Sequence, residues 1–181
     1  MLKHIVSILL ALGIILCAIS LPAIQQLSEE EVKSAYLYNF AKFIKWPEKA
    51  FRDDHDPFVI GVYGKSGLDE YLVSLTKKKI RERAVEIRTI ASVADAEGCQ
   101  LLYVAAGAER DGERLLQALS GSAIVTVSDA ESFVNQGGVI QFVPIRGRLR
   151  FIINLYQANH VGLKIDAQLL ALAIEVVEEK P

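Results

Sequence analysis

The sequence predicts an α/β protein: a three-layer sandwich whose mainly parallel central sheet ends in an antiparallel hairpin, with helices on both faces. Three observations carry this. Apolar runs at Phe58–Tyr63, Gln100–Ala105 and Ala123–Val127 are continuous rather than alternating, as befits strands covered on both faces. Stretches with helical spacing separate them, and a repeated strand-then-helix unit builds a parallel sheet through right-handed crossovers. The pattern then changes, because Gly138–Phe142 and Leu149–Leu155 are joined only through Pro144-Ile145-Arg146-Gly147-Arg148. That connection is too short for a parallel crossover, so an antiparallel hairpin is expected.

The first helix is expected over Glu29–Trp46. Val32, Tyr36, Asn39, Phe40 and Phe43 recur at three- and four-residue steps, and Leu37 and Ile44 widen the stripe. That face is expected in the core, with Phe40 and Trp46 substantially buried. Ser28 is placed to accept from the free amides of the first turn, and Glu29, Glu30 and Glu31 suit the helix dipole there. Pro47 bars the α region to Trp46 and should end the helix about there. After the strand at Phe58–Tyr63, Leu68, Leu72 and Leu75 share one face of the next segment. Val85, Ile87 and Thr89 alternate with Glu86 and Arg88, which suggests a half-exposed strand at a sheet edge.

From Ser92 a short helical piece should lead to the strand at Gln100–Ala105. Leu115, Leu116 and Leu119 give Glu109–Leu119 a helical face, and a strand follows at Ala123–Val127. Ser128 is a candidate N-cap for a brief helix through Phe133. Beyond the hairpin, Gly162 separates a short helical segment from a second one at Asp166–Val177, capped by Asp166 and facing the core through Leu169, Leu170, Ala173 and Val177.

The chain's 181 residues, 51% hydrophobic and 23% charged, suffice for one packed core, taken here as residues 29–177 after a linker at 21–28. Ahead of them, Lys3 and His4 precede the uncharged run Ile5–Ile19, and small Ala18 and Ser20 stand before Leu21. Residues 1–20 therefore read as a cleaved signal peptide, the run being short of the roughly 20 residues that span a bilayer. Cys17 follows Ile14, Ile15 and Leu16, which is no lipoprotein signal, and its removal leaves Cys99 without a disulfide partner. A buried small thiol is the reading for Cys99.

Several chemistries are excluded or demoted. A formal charge of −2 with both signs interspersed favours no nucleic acid. The run Gly61-Val62-Tyr63-Gly64-Lys65-Ser66 imitates a phosphate-binding loop, but the glycine required five residues before Gly64 is Val59. Asp53, Asp54, His55 and Asp56 carry ligand atoms, yet consecutive loop residues point different ways, so no metal or other cofactor is expected. No G-x-S-x-G elbow occurs, and no titratable pair stands out, so the chain is read as a non-enzyme. Lys77, Lys78, Lys79, Arg81 and Arg83 form a dense basic cluster, read as a solvated turn with anionic lipid as the alternative. Arg146, Arg148 and Arg150 share the hairpin turn and its second strand, and Arg148 and Arg150, two apart, project to one face. They are the candidate partner-binding residues. Asn154, polar within an apolar strand, is expected to fasten that strand to the first helix or to a backbone loop.

Two distinctive words remain. The pattern K-x-A-Y-L-Y-N-F-x-K-F-I-x-W-P holds Lys33, Ala35, Tyr36, Asn39, Phe40, Phe43, Trp46 and Pro47. The closing stretches contain Gly137, Gly138, Ile140, Phe142, Phe151, Ile153, Asn154, Ala158, Gly162, Leu163, Leu169, Leu170, Leu172 and Ala173. On these positions the chain resembles the YfiR family of bacterial periplasmic proteins over residues 29–174. The resemblance implies a periplasmic regulator that contacts the periplasmic part of an inner-membrane diguanylate cyclase, holds it inactive, and so restrains cyclic di-GMP signalling and biofilm formation. It makes Tyr36, Asn39, Phe40, Trp46, Pro47, Phe151 and Asn154 family positions with a structural role. A homodimer stays open, and the absence of the second cysteine found in some relatives is a departure that weighs against redox control. The alternative function is a periplasmic solute-sensing module for a small anion or amino acid, which requires a concave site with convergent polar groups.

Overall fold

A computed structural model describes residues 27–180. The expected signal peptide and most of the linker lie outside them. The first helix, α1, spans Glu29–Phe43, and Ser28 caps it by accepting from the Glu31 amide. Its buried face runs through Lys33, Leu37, Phe40, Ala41 and, just past the helix, Ile44. Asn39, expected on that face, is exposed: the stripe is centred on Leu37 and Phe40, and Asn39 lies to its side. The helix also stops three residues before Trp46. Ile44 and Lys45 instead form a short strand, β1, antiparallel to β9 (Lys164–Ile165), because extended backbone there finds a partner strand that a further helical turn would forgo. Arg81 closes the helix end by donating to the carbonyls of Lys42 and Ile44. Trp46 is half-buried rather than sealed in.

The remaining strands are β2 (Phe58–Tyr63), β3 (Lys79–Ile80), β4 (Arg83–Ile90), β5 (Leu101–Val104), β6 (Val125–Ser128), β7 (Ile140–Ile145), β8 (Arg148–Asn154) and β10 (Glu175–Val177). They form one eight-stranded sheet in the order β10-β8-β7-β6-β5-β2-β4-β3. The five strands β4, β2, β5, β6 and β7 run parallel, and β7 and β8 make the expected antiparallel hairpin. β4 lies one place in from the edge, with only the two-residue β3 outside it.

Alternation along the strands explains the continuous apolar runs. Phe58, Ile60, Val62, Leu101 and Tyr103 face one apolar cluster with α1 and the short helix α2 (Asp69–Val73). Val59, Leu102 and Val104 face a second, covered by Leu115, Leu116 and Leu119 of α3 (Glu109–Leu119). The three layers follow from this two-sided burial. Gly61 sits on the second face where a Cβ would come within 3.1 Å of Ile90, Leu102 and Cys99 side-chain atoms, so only glycine lets those neighbours close.

One expected helix is absent and another is cut short. Residues 129–137 turn instead of forming a helix through Phe133: Ser132 takes φ +58, and the Val134 carbonyl is drawn to Asn154. At the C-terminal end, α4 (Leu155–His160) is followed by α5, which covers only Ala167–Leu170 although Asp166 caps it as expected. Glu175–Val177 then pairs parallel to β8. β-branched Ile174, Val176 and Val177 fit a pleated edge, and the outer edge of β8 offers unpaired backbone groups that a continued helix would leave open.

Candidate functional site

The β7–β8 hairpin has two unlike ends. At the tip, Arg146 and Gly147 adopt φ +49 and +72, the two-residue turn that matches the twist of antiparallel strands. Arg146, Arg148 and Arg150 are all exposed. In register, Arg148 stands opposite Ile145 and Arg150 opposite Val143. Arg150 reaches the Leu172 carbonyl at 3.4 Å, which brings the exposed Leu172 beside the arginines; Ile174 and Ile145 are exposed nearby. The result is a solvent-facing patch of guanidinium groups mixed with large apolar side chains.

At the base the same two strands are sealed. Tyr36 and Phe40 of α1 meet Phe142 and Phe151 with ring centroids 5.1 to 5.8 Å apart, and the Tyr36 hydroxyl donates to the Leu149 carbonyl. Asn154 is fully buried. Its Nδ2 donates to the Val134 carbonyl (2.9 Å) and its Oδ1 accepts from the Gln157 amide (2.8 Å), so one side chain anchors the 129–137 turns and caps α4. Trp46 donates through Nε1 to the Gln100 carbonyl (2.9 Å) and packs edge-on against Phe58, while Pro47 lies against Gly162. Of the seven family positions given a structural role, Asn39 is the one that faces solvent. Its exposed amide has no hydrogen-bond partner among the described residues, in contrast to Asn154.

Sequence reading missed a buried ion pair. Lys33, on the apolar stripe of α1, bonds Asp129 just beyond β6 (2.5 Å) and Glu29 one turn earlier (2.8 Å). Burial opposes the Lys33 charge, but the hydrogen bonds it donates to Asp129 and then Glu29 outweigh it and hold the ammonium above its ordinary range. Burial likewise opposes the Asp129 charge, and the Lys33 hydrogen bond and charge still bring its carboxyl below the usual range. Tyr103 lies beside the pair, its phenol pushed up first by burial and then by Asp129. Asp129 Oδ1 is out of solvent without a hydrogen-bond partner among the described residues. A lysine four residues before Leu37 and seven before Phe40 was the available signal, since a cation on a buried stripe calls for a buried anion.

The other demoted candidates are occupied by folding tasks. Asp53 and Asp56 accept from the amides of their own loop, and no metal-type cluster occurs among the described residues. Arg83 donates to the Asp53 and Asp56 carbonyls and stacks over Phe51. Helix α2, after Gly64-Lys65-Ser66, is only five residues long.

No curated protein matches this chain. Among solved structures, the crystal structure of a conserved domain protein from Vibrio cholerae O1 biovar El Tor is similar at 17% identity with a TM-score of 0.56. The match covers 83% of this chain and 61% of that one, so it is a likeness of fold, and this chain spans less than two thirds of that protein. The family described as YfiR/HmsC-like matches residues 30–174, from the first turn of α1 to the approach of β10. Both aromatic words, the hairpin and Asn154 fall inside that span, and the chain belongs to the YfiR/HmsC-like family.

Proposed function

We propose that this protein is a periplasmic regulator that binds the periplasmic part of an inner-membrane diguanylate cyclase and holds it inactive, lowering cyclic di-GMP signalling and biofilm formation. In this reading residues 1–20 are a cleaved signal, residues 29–177 form one regulatory domain, and the protein acts by contact rather than catalysis. The observation that carries it is family membership across residues 30–174. No helix among the described residues is long and apolar enough to cross a membrane, which fits a partner reached from outside the bilayer.

The contact surface is the hairpin tip. Arg146, Arg148 and Arg150 supply charge to steer an acidic partner, and exposed Leu172 and Ile174 supply apolar area to hold it. Arg146 also occupies a left-handed backbone position that conformational preference gives to Asn or Gly, which supports a role for its side chain outside folding. Co-purification of the intact membrane cyclase with wild type and with Arg148→Ala/Arg150→Ala, at low and high salt, tests both levels. Weaker capture by the double variant, by about tenfold at low salt and less at high salt, is expected. Equal capture by both moves the surface elsewhere, and no capture by wild type removes the regulator reading.

A further inference from the structure

A cleft of about 660 Å3 opens at the edge of the sheet where β2, β5 and β6 begin, opposite the edge toward which the hairpin tip extends. Its walls come from three connections: residues 49–52, 97–100 and 121–124. Gln100 fixes them. Its buried side chain accepts from the Val59 amide (2.7 Å) and donates to the carbonyls of Ala50 (2.8 Å) and Gly98 (3.0 Å), so the cleft is pre-formed rather than left to loop motion. Val59, Leu119 and Ile124, all buried, give it an apolar floor.

The rim is charged, and its charges are unequally committed. Arg88 gives Nε and Nη2 to Glu86 and Nη1 to the Glu97 carbonyl, which spends both Arg88 and Glu86. The Asp56 carboxylate is turned back onto the amides of Arg52 and Asp53. Lys49 and Arg52 have no carboxylate within ion-pair distance among the described residues. Arg52 is brought over the wall at Gly98, where φ is +78 and a Cβ would lie 3.9 Å from its Nη2. Asp56 and Glu86 keep their charge under these bonds, so Lys49, Arg52 and Arg88 are balanced by Asp56, Glu86 and Glu97, and what suits an anion here is free donors rather than net charge: the Lys49 and Arg52 side chains donate to no described residue, and a guanidinium fork suits a planar carboxylate. A bare inorganic anion would leave the apolar floor wet.

We propose that this cleft binds a small monocarboxylate with an apolar body, the carboxylate on Arg52 and Lys49 and the body against Val59, Leu119 and Ile124. The site goes beyond the cyclase reading and does not depend on it, since the two surfaces sit at opposite ends of the sheet. Trp46, the one tryptophan of the chain, bonds the Gln100 carbonyl and so reports on the cleft wall. The purified protein is titrated with cyclohexanecarboxylate, its neutral isostere cyclohexanecarboxamide, and inorganic phosphate, by Trp46 fluorescence and by calorimetry in parallel. Saturable binding of the carboxylate, at least about tenfold tighter than either control and weakened about tenfold in Arg52→Gln, is the expected result. Lys49→Gln serves as the second variant, and the unfolding midpoint of each confirms that it is folded. No saturable carboxylate binding, equal binding of the carboxamide or of phosphate, or wild-type affinity in both variants overturns the assignment.

Discussion

The base and the tip of the β7–β8 hairpin share two strands and one register, yet they obey different constraints. At the base, Phe142 and Phe151 are 1% exposed and lock against Tyr36 and Phe40 of α1. At the tip, five consecutive residues from Pro144 to Arg148 are exposed. A side chain at the base is fixed by volume, and one at the tip is fixed only by what it meets from outside. The family words therefore fall mostly where packing dictates residue type, which is why they identify the fold so well and say so little about a partner surface.

The sharpest way to break this contrast is at the base. Phe40 is fully buried among three other aromatic rings, and Phe40→Ala is expected to cost about 3–5 kcal/mol in chemical denaturation, as truncation of a buried aromatic does. A loss below about 1 kcal/mol would place that helix face outside the core. Asn154→Ala should follow at about 2–3 kcal/mol, since it removes the cap of α4 and leaves the Val134 carbonyl with only the longer bond from the Gly137 amide (3.3 Å). Faster amide exchange confined to residues 129–137 and the start of α4 is the accompanying signature; an unchanged exchange pattern would deny Asn154 its anchoring role.

The Lys33–Asp129 pair lies between these extremes. Lys33→Met leaves Asp129 charged and partly buried, and a cost of about 2–3 kcal/mol is expected, below that of fully buried pairs because the Asp129 side chain keeps 23% of its exposure. The pH dependence has a definite sign. Asp129 is lowered in the folded state, so its contribution is present above its unfolded value of about 3.9 and is lost as pH falls through the folded one. Lys33 is raised, so its contribution is present below about 10.4 and is lost as pH rises through the folded value. The stability gap between wild type and Lys33→Met should be flat through neutral pH and shrink at both ends. A gap that widens on acidification would contradict the pairing.

Much of the fold was legible because apolar run length and turn chemistry act locally. Strands β2, β5 and β6 needed only continuous apolar runs, β4 an alternating one, and the hairpin glycines and a short connection. What failed depended on distant partners. Val176 and Val177 fit a helical face as well as a strand, and the choice is made by the free edge of β8. Ser128 signals a cap, but Asn154, 20 residues beyond Val134, bends that segment into turns. Ile44 and Lys45 read as helix until β9 is there to pair with them. The same holds for sites: the hairpin arginines were visible as a cluster in one short stretch, whereas the cleft draws Arg52, Gln100 and Ile124 together from three connections.

The smallest expected effect on stability is the most telling for the comparison. The Arg148 side chain has no hydrogen bond or ion pair to any described residue, and the Arg150 side chain contributes one long bond of 3.4 Å to the Leu172 carbonyl. Exposed charges of this kind contribute within about 0.5 kcal/mol, and their mutual repulsion across one strand face offsets part of that. Arg148→Ala/Arg150→Ala should therefore unfold within about 0.5 kcal/mol of wild type, and the difference should vanish at high salt, where the Debye length falls to about 3 Å at 1 M. Calorimetric unfolding of the two proteins at low and high salt decides it. A loss above about 1.5 kcal/mol would mean that the tip holds the C-terminal strand in place through Leu172. The arginines would then belong to the fold as much as Phe142 and Phe151 do, and the contrast between tip and base would collapse.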